Sequence, residues 1–276
     1  MLFKHRYIKP LLFAGYFVLA FIVFLFLLFP VNRIKAKIES EVRQRTPFEL
    51  SISHITPRFL NRIVLHDVVL SDRNGRVLFE SPSIKTTISL WGLLRGVPAV
   101  DLKAEAYGGE LLVKAQEGSN KRYLFFDANG LDISLISLLK NAGLQVAGKF
   151  GGNFEMTGDT GKGKLWLKGL ALRQLKIKGF ALPDMDFDQC WLDADFKGDR
   201  MLIKKFELDG KDLKVRCVGD MVLHERGSLN LMIKFKPSER IAREQAMLMT
   251  FLKNKDSDGF YQISLGGTLD APIPRF

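Results

Sequence analysis

The chain has 276 residues, 47% hydrophobic and 26% charged, a balance that argues against bulk disorder and allows one large domain or two small ones. Its net charge of +11 invites a nucleic-acid reading. The distribution argues against one: residues 1–50 hold eight basic and three acidic residues, a net +5, and the other 226 residues carry only +6 from 33 basic and 27 acidic side chains.

The excess near the N-terminus flanks an uncharged run of 19 residues, Leu11 to Phe29. As a helix it would be about 28 Å long, close to the ~30 Å of a bilayer's hydrocarbon core. A signal peptide should have a shorter apolar core and a small-x-small cleavage site, and Phe29-Pro30-Val31-Asn32 is a poor one. The run therefore predicts an uncleaved membrane anchor from Leu11 to Phe29, after a tail over residues 1–10. Basic residues stand on both sides of it, so charge alone does not orient it. A tail this short is easily retained in the cytoplasm. That predicts the N-terminus inside and residues 31–276 across the membrane, away from any chromosome.

Next comes a helical pattern over residues 31–46. Val31, Ile34, Ile38 and Val42 recur on one face. They predict a juxtamembrane amphipathic helix that packs on the domain below. Contact of its basic side with headgroups is the sharper alternative, weakened by Glu39 and Glu41.

From residue 47 to 276 the signal is period-two alternation, as expected of antiparallel strands with one solvated face. Phe48-Leu50-Ile52, Ile84-Thr86-Ile88 and Val100-Leu102-Ala104-Ala106 are apolar stripes. So are Val146-Phe150-Phe154-Met156, Cys190-Leu192-Ala194-Phe196, Leu213-Val215-Cys217-Met221 and Leu229-Leu231-Ile233-Phe235. Turn signals at 8–12-residue intervals, such as Asp72-Arg73-Asn74-Gly75 and Asp209-Gly210, predict a meander of hairpins with about twelve or more strands. Helices are few: short turns at Leu90–Leu94 and Ser134–Asn141, and one longer candidate from Ser238, its N-cap, to Lys253. One apolar sheet face with little helix to cover it must fold into a sandwich, close as a barrel or curl into a groove. Periodicity does not choose among these. The residues that would line such a groove are Ile84, Ile88, Val100, Leu102, Phe150, Phe154, Leu192, Phe196, Leu231, Ile233 and Phe235. The competing reading of each is a closed core.

The chemistry-bearing residues do not assemble into a catalytic or metal motif, and no cofactor is expected. The four histidines lack ligand spacing. Asp256-Ser257-Asp258-Gly259 starts like a calcium loop but has no closing acid, so it reads as a turn. Cys190 and Cys217 fall in strands separated by a third. That puts them about 9.6 Å apart, beyond the ~7 Å of a disulfide, and predicts two buried free thiols. Asp184, Asp186 and Asp188 share one polar face and read as a solvated edge; the basic run Lys162, Lys164, Lys168, Lys176 and Lys178 mostly shares a face and reads as a basic strand surface serving solubility and edge protection, with contact to lipid headgroups as the alternative.

Several blocks resemble the type II secretion system protein N (general secretion pathway protein N) family. They are the short basic tail with a single span closing on Phe29-Pro30; Leu65-His66-Asp67-Val68-Val69-Leu70 with Leu93-Leu94-Arg95-Gly96-Val97-Pro98; Ala106-Tyr107-Gly108-Gly109; and Gly259–Leu269 followed by Pro272. The same blocks resemble AsmA-like and TamB-like proteins. The resemblance implies a bacterial inner-membrane, single-pass, non-enzymatic accessory or assembly component of type II secretion, with a periplasmic β domain. Its partners would be the inner membrane and other secretion components. The AsmA-like side implies an elongated, twisted antiparallel sheet shaped as a half-pipe, associated with phospholipid transport.

Overall fold

A computed structural model describes residue 16 and residues 30–59, 61–118, 121–141, 144–173, 176–177, 180–181, 183–224, 226–244, 246 and 255–275. The predicted anchor, Leu11 to Phe29, lies outside them except for Tyr16, as does the predicted helix beyond residue 246. Among the described residues no helix is long and apolar enough to cross a membrane.

The chain is mainly β. Helix α1 (Val31–Arg45) follows Pro30 directly. Eight strands then succeed one another: β1 (Phe48–Phe59), β2 (Arg62–Asp72), β3 (Val77–Ile88), β4 (Ala99–Ala106), β5 (Gly109–Glu117), β6 (Arg122–Asp132), β7 (Gln145–Thr157) and β8 (Thr160–Arg173). A two-stranded ribbon, β9 (Lys176–Ile177) and β10 (Phe180–Ala181), makes a short excursion. The sheet resumes with β11 (Met185–Lys197), β12 (Arg200–Gly210), β13 (Leu213–Val222), β14 (Leu229–Pro237), β15 (Tyr261–Gly267) and β16 (Pro272–Arg275). Apart from that ribbon, every strand pairs antiparallel with the next, giving one open sheet of fourteen strands with β1 and β16 as its edges. This is the predicted meander, and it is neither a sandwich nor a barrel.

Both edges are blunted. Glu39 on α1 accepts a hydrogen bond from the outward Ile52 N–H (2.9 Å), and Lys35 donates to the Ser53 carbonyl (3.2 Å), so the helix occupies the free edge of β1. Its apolar side, Val31, Ile34 and Ile38, packs on Ile52, Ile55, Ile63, Leu65 and Val68, which is the predicted packing role. At the other edge, Pro272 and Pro274 remove two donors from β16.

Among the described residues the other helices are short: α2 (Leu90–Leu94), α3 (Ser137–Asn141) after a 3-10 turn at Ile133–Leu135, and α4 (Glu239–Glu244). Ser238 caps α4 as predicted, its Oγ accepting from the Ile241 N–H at 3.4 Å. Buried residues form four clusters spaced along the sheet, not one core.

Cys190 on β11 and Cys217 on β13 are buried free thiols with β12 between them. Burial pushes both above the ordinary thiol range. The edge reading of the charged runs is corrected. Strands β8 and β11 lie inside the sheet, paired with each other. Their polarity marks a wholly solvated face. On it Lys162 stands opposite Glu155 and Asp195, Lys164 stands opposite Asp193, and Arg173 pairs with Asp184 and Asp186. Acids thus stand across from Lys162 and Lys164, and Lys178 lies outside the described residues.

Candidate functional site

Because all fourteen strands pair in sequence, their registers can be followed from one edge of the sheet to the other. One line of cross-strand partners runs Pro57, Ile63, Thr86, Leu102, Val113, Phe126, Phe154, Gly163, Ala194, Ile203, Gly219, Leu231, Leu265, Pro274. It crosses every strand without a charged side chain. A parallel row two residues away runs from Ile55 through Leu65, Ile84, Leu111, Leu165, Leu192 and Ile233 to Ile263. On the other side a third row holds Ile88, Val100, Leu124, Met156, Phe196, Met201 and Leu229. A fourth links Leu131, Phe150, Leu167, Cys190, Leu208, Val215, Phe235 and Tyr261.

All eleven sequence-predicted lining residues fall in these four rows and therefore share one face. Leu102, Phe154 and Leu231 are in the first row; Ile84, Leu192 and Ile233 in the second; Ile88, Val100 and Phe196 in the third; Phe150 and Phe235 in the fourth. Only Leu231 is buried, and the other ten are half-buried. At about 4.8 Å per strand the face extends about 62 Å across the sheet, and four rows make it about 20 Å wide. Among the described residues helical cover is local, and α4 adds one buried side chain, Ile241. Ile136 and Leu139 pack near Phe150, and α1 packs on the cluster that Ile84 adjoins. In mid-sheet Phe154 and Phe196 lean together edge-on, ring centroids 5.2 Å apart, over Gly163, where an added Cβ would stand 3.3 Å from the Phe196 ring and 3.4 Å from the Phe154 ring.

One polar atom interrupts the rows. Thr86 is 7% exposed and its Oγ1 has no hydrogen-bond partner. An unsatisfied buried hydroxyl costs about 1–3 kcal/mol. Thr86→Val is therefore expected to stabilise the chain by about 1 kcal/mol and raise Tm by about 2–4 °C, read by thermal denaturation.

Two of the resemblance blocks have a conformational basis. Asp67 adopts a left-handed conformation, φ 49°, which brings Leu65 and Val68, three residues apart, into one buried cluster. Tyr107 and Gly108 have φ 50° and 73° between the paired Ala106 and Gly109, the type I′ hairpin. The Tyr107 hydroxyl accepts a hydrogen bond from the Glu80 N–H (3.1 Å), and its ring meets Phe79 edge-on at 5.9 Å. Burial raises the phenol above its ordinary value.

The opposite face carries most of the charged side chains, with Trp191, Leu202, Val218 and Met232 exposed among them. Near β1–β5 a hollow of about 640 Å³ is lined by Arg58, Arg62, His66, Lys85, Asp101, Lys103 and Glu105 together with the apolar Ile63, Val64, Leu102 and Leu112. Lys85 pairs with Glu105 at 3.0 Å and Lys103 with Glu110 at 2.9 Å. The register also stacks His54 on His66, ring centroids 4.2 Å apart, with Thr56 Oγ1 3.2 Å from His66 Nε2. The sequence reading missed this pair. Its only signal was their equal spacing from the β1–β2 turn. Among the described residues no three potential metal ligands converge. Asp256 serves the turn predicted for it: Oδ1 accepts from the N–H groups of Asp258 and Phe260, and Lys234 holds Oδ2 at 3.3 Å. Set beside protein-family models, curated proteins and solved structures, the chain matches none of them.

Proposed function

We propose that this chain is an inner-membrane-anchored periplasmic protein, non-enzymatic, that holds phospholipid acyl chains against the apolar face of its sheet. The observation that carries the reading is the uncharged row that crosses all fourteen strands of an open sheet. Among the described residues little helix lies over this apolar face, and the hydrophobic effect favours any acyl chain that covers it, by about 25 cal/mol per Å². The half-pipe of AsmA-like proteins is the shape this reading assigns to the sheet, and the 19-residue run before Pro30 is its anchor.

The test is photo-crosslinking in cells. A photoreactive residue at Leu102, Leu192 or Ile233 is expected to yield phospholipid adducts identified by mass spectrometry. The same residue at Lys164 or Trp191, on the opposite face, is expected to yield none. Equal adducts on both faces, or none on either, would overturn the reading. A second reading makes the chain an accessory or assembly component of type II secretion. What supports it is the resemblance in the segments around Asp67 and Tyr107, the two non-glycine residues with positive φ among the described residues. Loss of exoenzyme secretion on deletion, without lipid adducts, would favour that second reading.

A further inference from the structure

The sheet has a second feature that points to a membrane, at one of its corners. Helix α1 runs back along β1. Arg43 lies 4.0 Å from Glu49, Glu39 reaches Ile52, Lys35 reaches Ser53, and Val31 packs on the cluster containing Ile55. The start of α1, where the apolar run ends, therefore faces the end of the sheet that carries the β1–β2 turn. The connection from β3 to β4 is at that same end, since the Ile88 N–H donates to the Asn61 carbonyl at 2.8 Å. A 15-residue helix rises about 22 Å and a 12-residue strand about 40 Å, so the tip passes the first turn of α1 by roughly 15 Å.

The β3–β4 connection presents apolar side chains to solvent. Trp91 is 72% exposed, Leu94 79% and Leu90 45%. They are not on a loose loop. Ser89 Oγ caps the turn, accepting from the Gly92 N–H at 3.0 Å, and the Val97 N–H closes it on the Gly92 carbonyl at 2.8 Å. Arg95 lies over the Trp91 ring at 5.6 Å, and Arg58 near the end of β1 and Arg62 at the start of β2 stand on either side of the adjoining turn. Among the described residues those two arginines have no ion pair of the kind that holds Lys85 and Lys103. An exposed Trp and Leu on a rigid tip, with arginines beside them, match the composition of side chains that settle at the headgroup boundary.

We infer that the Leu90–Arg95 tip is a second membrane contact. It inserts Trp91 and Leu94 into the interface of the same anionic bilayer in which the apolar run is anchored, with Arg58, Arg62 and Arg95 on its phosphates. The inference rests on the membrane-anchored reading. It adds that the β1–β4 corner is seated on the bilayer, so that the apolar rows begin at lipid. Positions of the other strands do not enter into it.

The experiment uses the full chain in vesicles of phosphatidylethanolamine and phosphatidylglycerol with brominated acyl chains. The difference in emission between the natural chain and Trp91→Phe isolates Trp91 from Trp166 and Trp191. The expected result is that brominated chains remove most of the Trp91 emission and aqueous iodide removes little of it. Emission quenched by iodide and untouched by bromine overturns the contact. Carbonate extraction and flotation of the same vesicles reads the anchor separately. A chain that floats with Trp91 in water keeps the anchor and loses the contact. A chain that does not float but has bromine-quenched Trp91 loses the anchor and keeps the contact.

Discussion

Gly219→Ala is expected to destabilise the chain by about 3 kcal/mol or more and to lower Tm by about 6–12 °C. Gly219 lies in the row that crosses every strand, between Ile203 and Leu231. Its φ is 138°, a region open to glycine and costly for any residue with a Cβ. A Cβ there would stand 2.1 Å from the Asn230 carbonyl oxygen and 2.9 Å from Leu231 Cα, both backbone atoms held by the β13–β14 ladder. Neither can withdraw without breaking the pairing. The conformation has a local cause: between Ile203 and Phe206 the register on β12 shifts, and Gly219 is the partner at that irregularity. Gly198→Ala is the control. Gly198 has φ 58° in the β11–β12 turn, with nothing within 4 Å of an added Cβ. It should lose only the left-handed penalty, about 1–2 kcal/mol. Thermal denaturation of both variants, followed by far-UV circular dichroism, makes the comparison. Equal losses would show that the close approach at Gly219 yields by backbone adjustment.

The same irregularities explain how far the sequence could be read. Strands β3, β4, β11, β13 and β14 announce themselves as stripes such as Cys190-Leu192-Ala194-Phe196, because their apolar residues stay in phase. Strand β2 does not, since Asp67 in a left-handed conformation shifts the phase between Leu65 and Val68. Strand β6 is blurred where the register shifts between Ala128 and Leu131, beside Gly130 at φ 70°. That the lining residues share one face follows from parity along each strand and from consecutive pairing, and both are local properties. Two things were not local. Asp184, Asp186 and the lysines of β8 looked like edges, because solvation on one face and lack of a neighbour leave the same polar alternation. The meeting of Phe154 and Phe196 over Gly163 joins residues two strands apart. It depends on which small residue the intervening strand places between them. Openness of the sheet was beyond periodicity for the same reason: only the partners of β1 and β16 decide it.

Phe154→Glu is expected to cut phospholipid adducts at Ile233 by about a hundredfold while leaving those at Leu102 unchanged. Phe154 stands in mid-sheet in the first row, with Leu102 three strands toward α1 and Ile233 on β14, five strands beyond it in the ladder. If acyl chains enter at the β1 side, where α1 packs and the apolar run ends, they reach Ile233 by passing Phe154 and Phe196. A carboxylate there must be stripped of water whenever an acyl chain lies over it, a cost of about 3 kcal/mol or more, which is about two decades in occupancy. Phe154 is half-buried, so the substitution leaves the carboxylate solvated in the empty protein and the sheet pairing intact. Phe154→Leu keeps the row apolar and is expected to restore the distant adduct. Adducts at Leu102 report in the same cells that the chain is folded and in contact with lipid. A fall at both positions together would mean that the variant has lost its fold or its lipid supply. Undiminished adducts at Ile233 would mean that lipid reaches the far strands without travelling along the rows, and the apolar face would then be a set of separate sites.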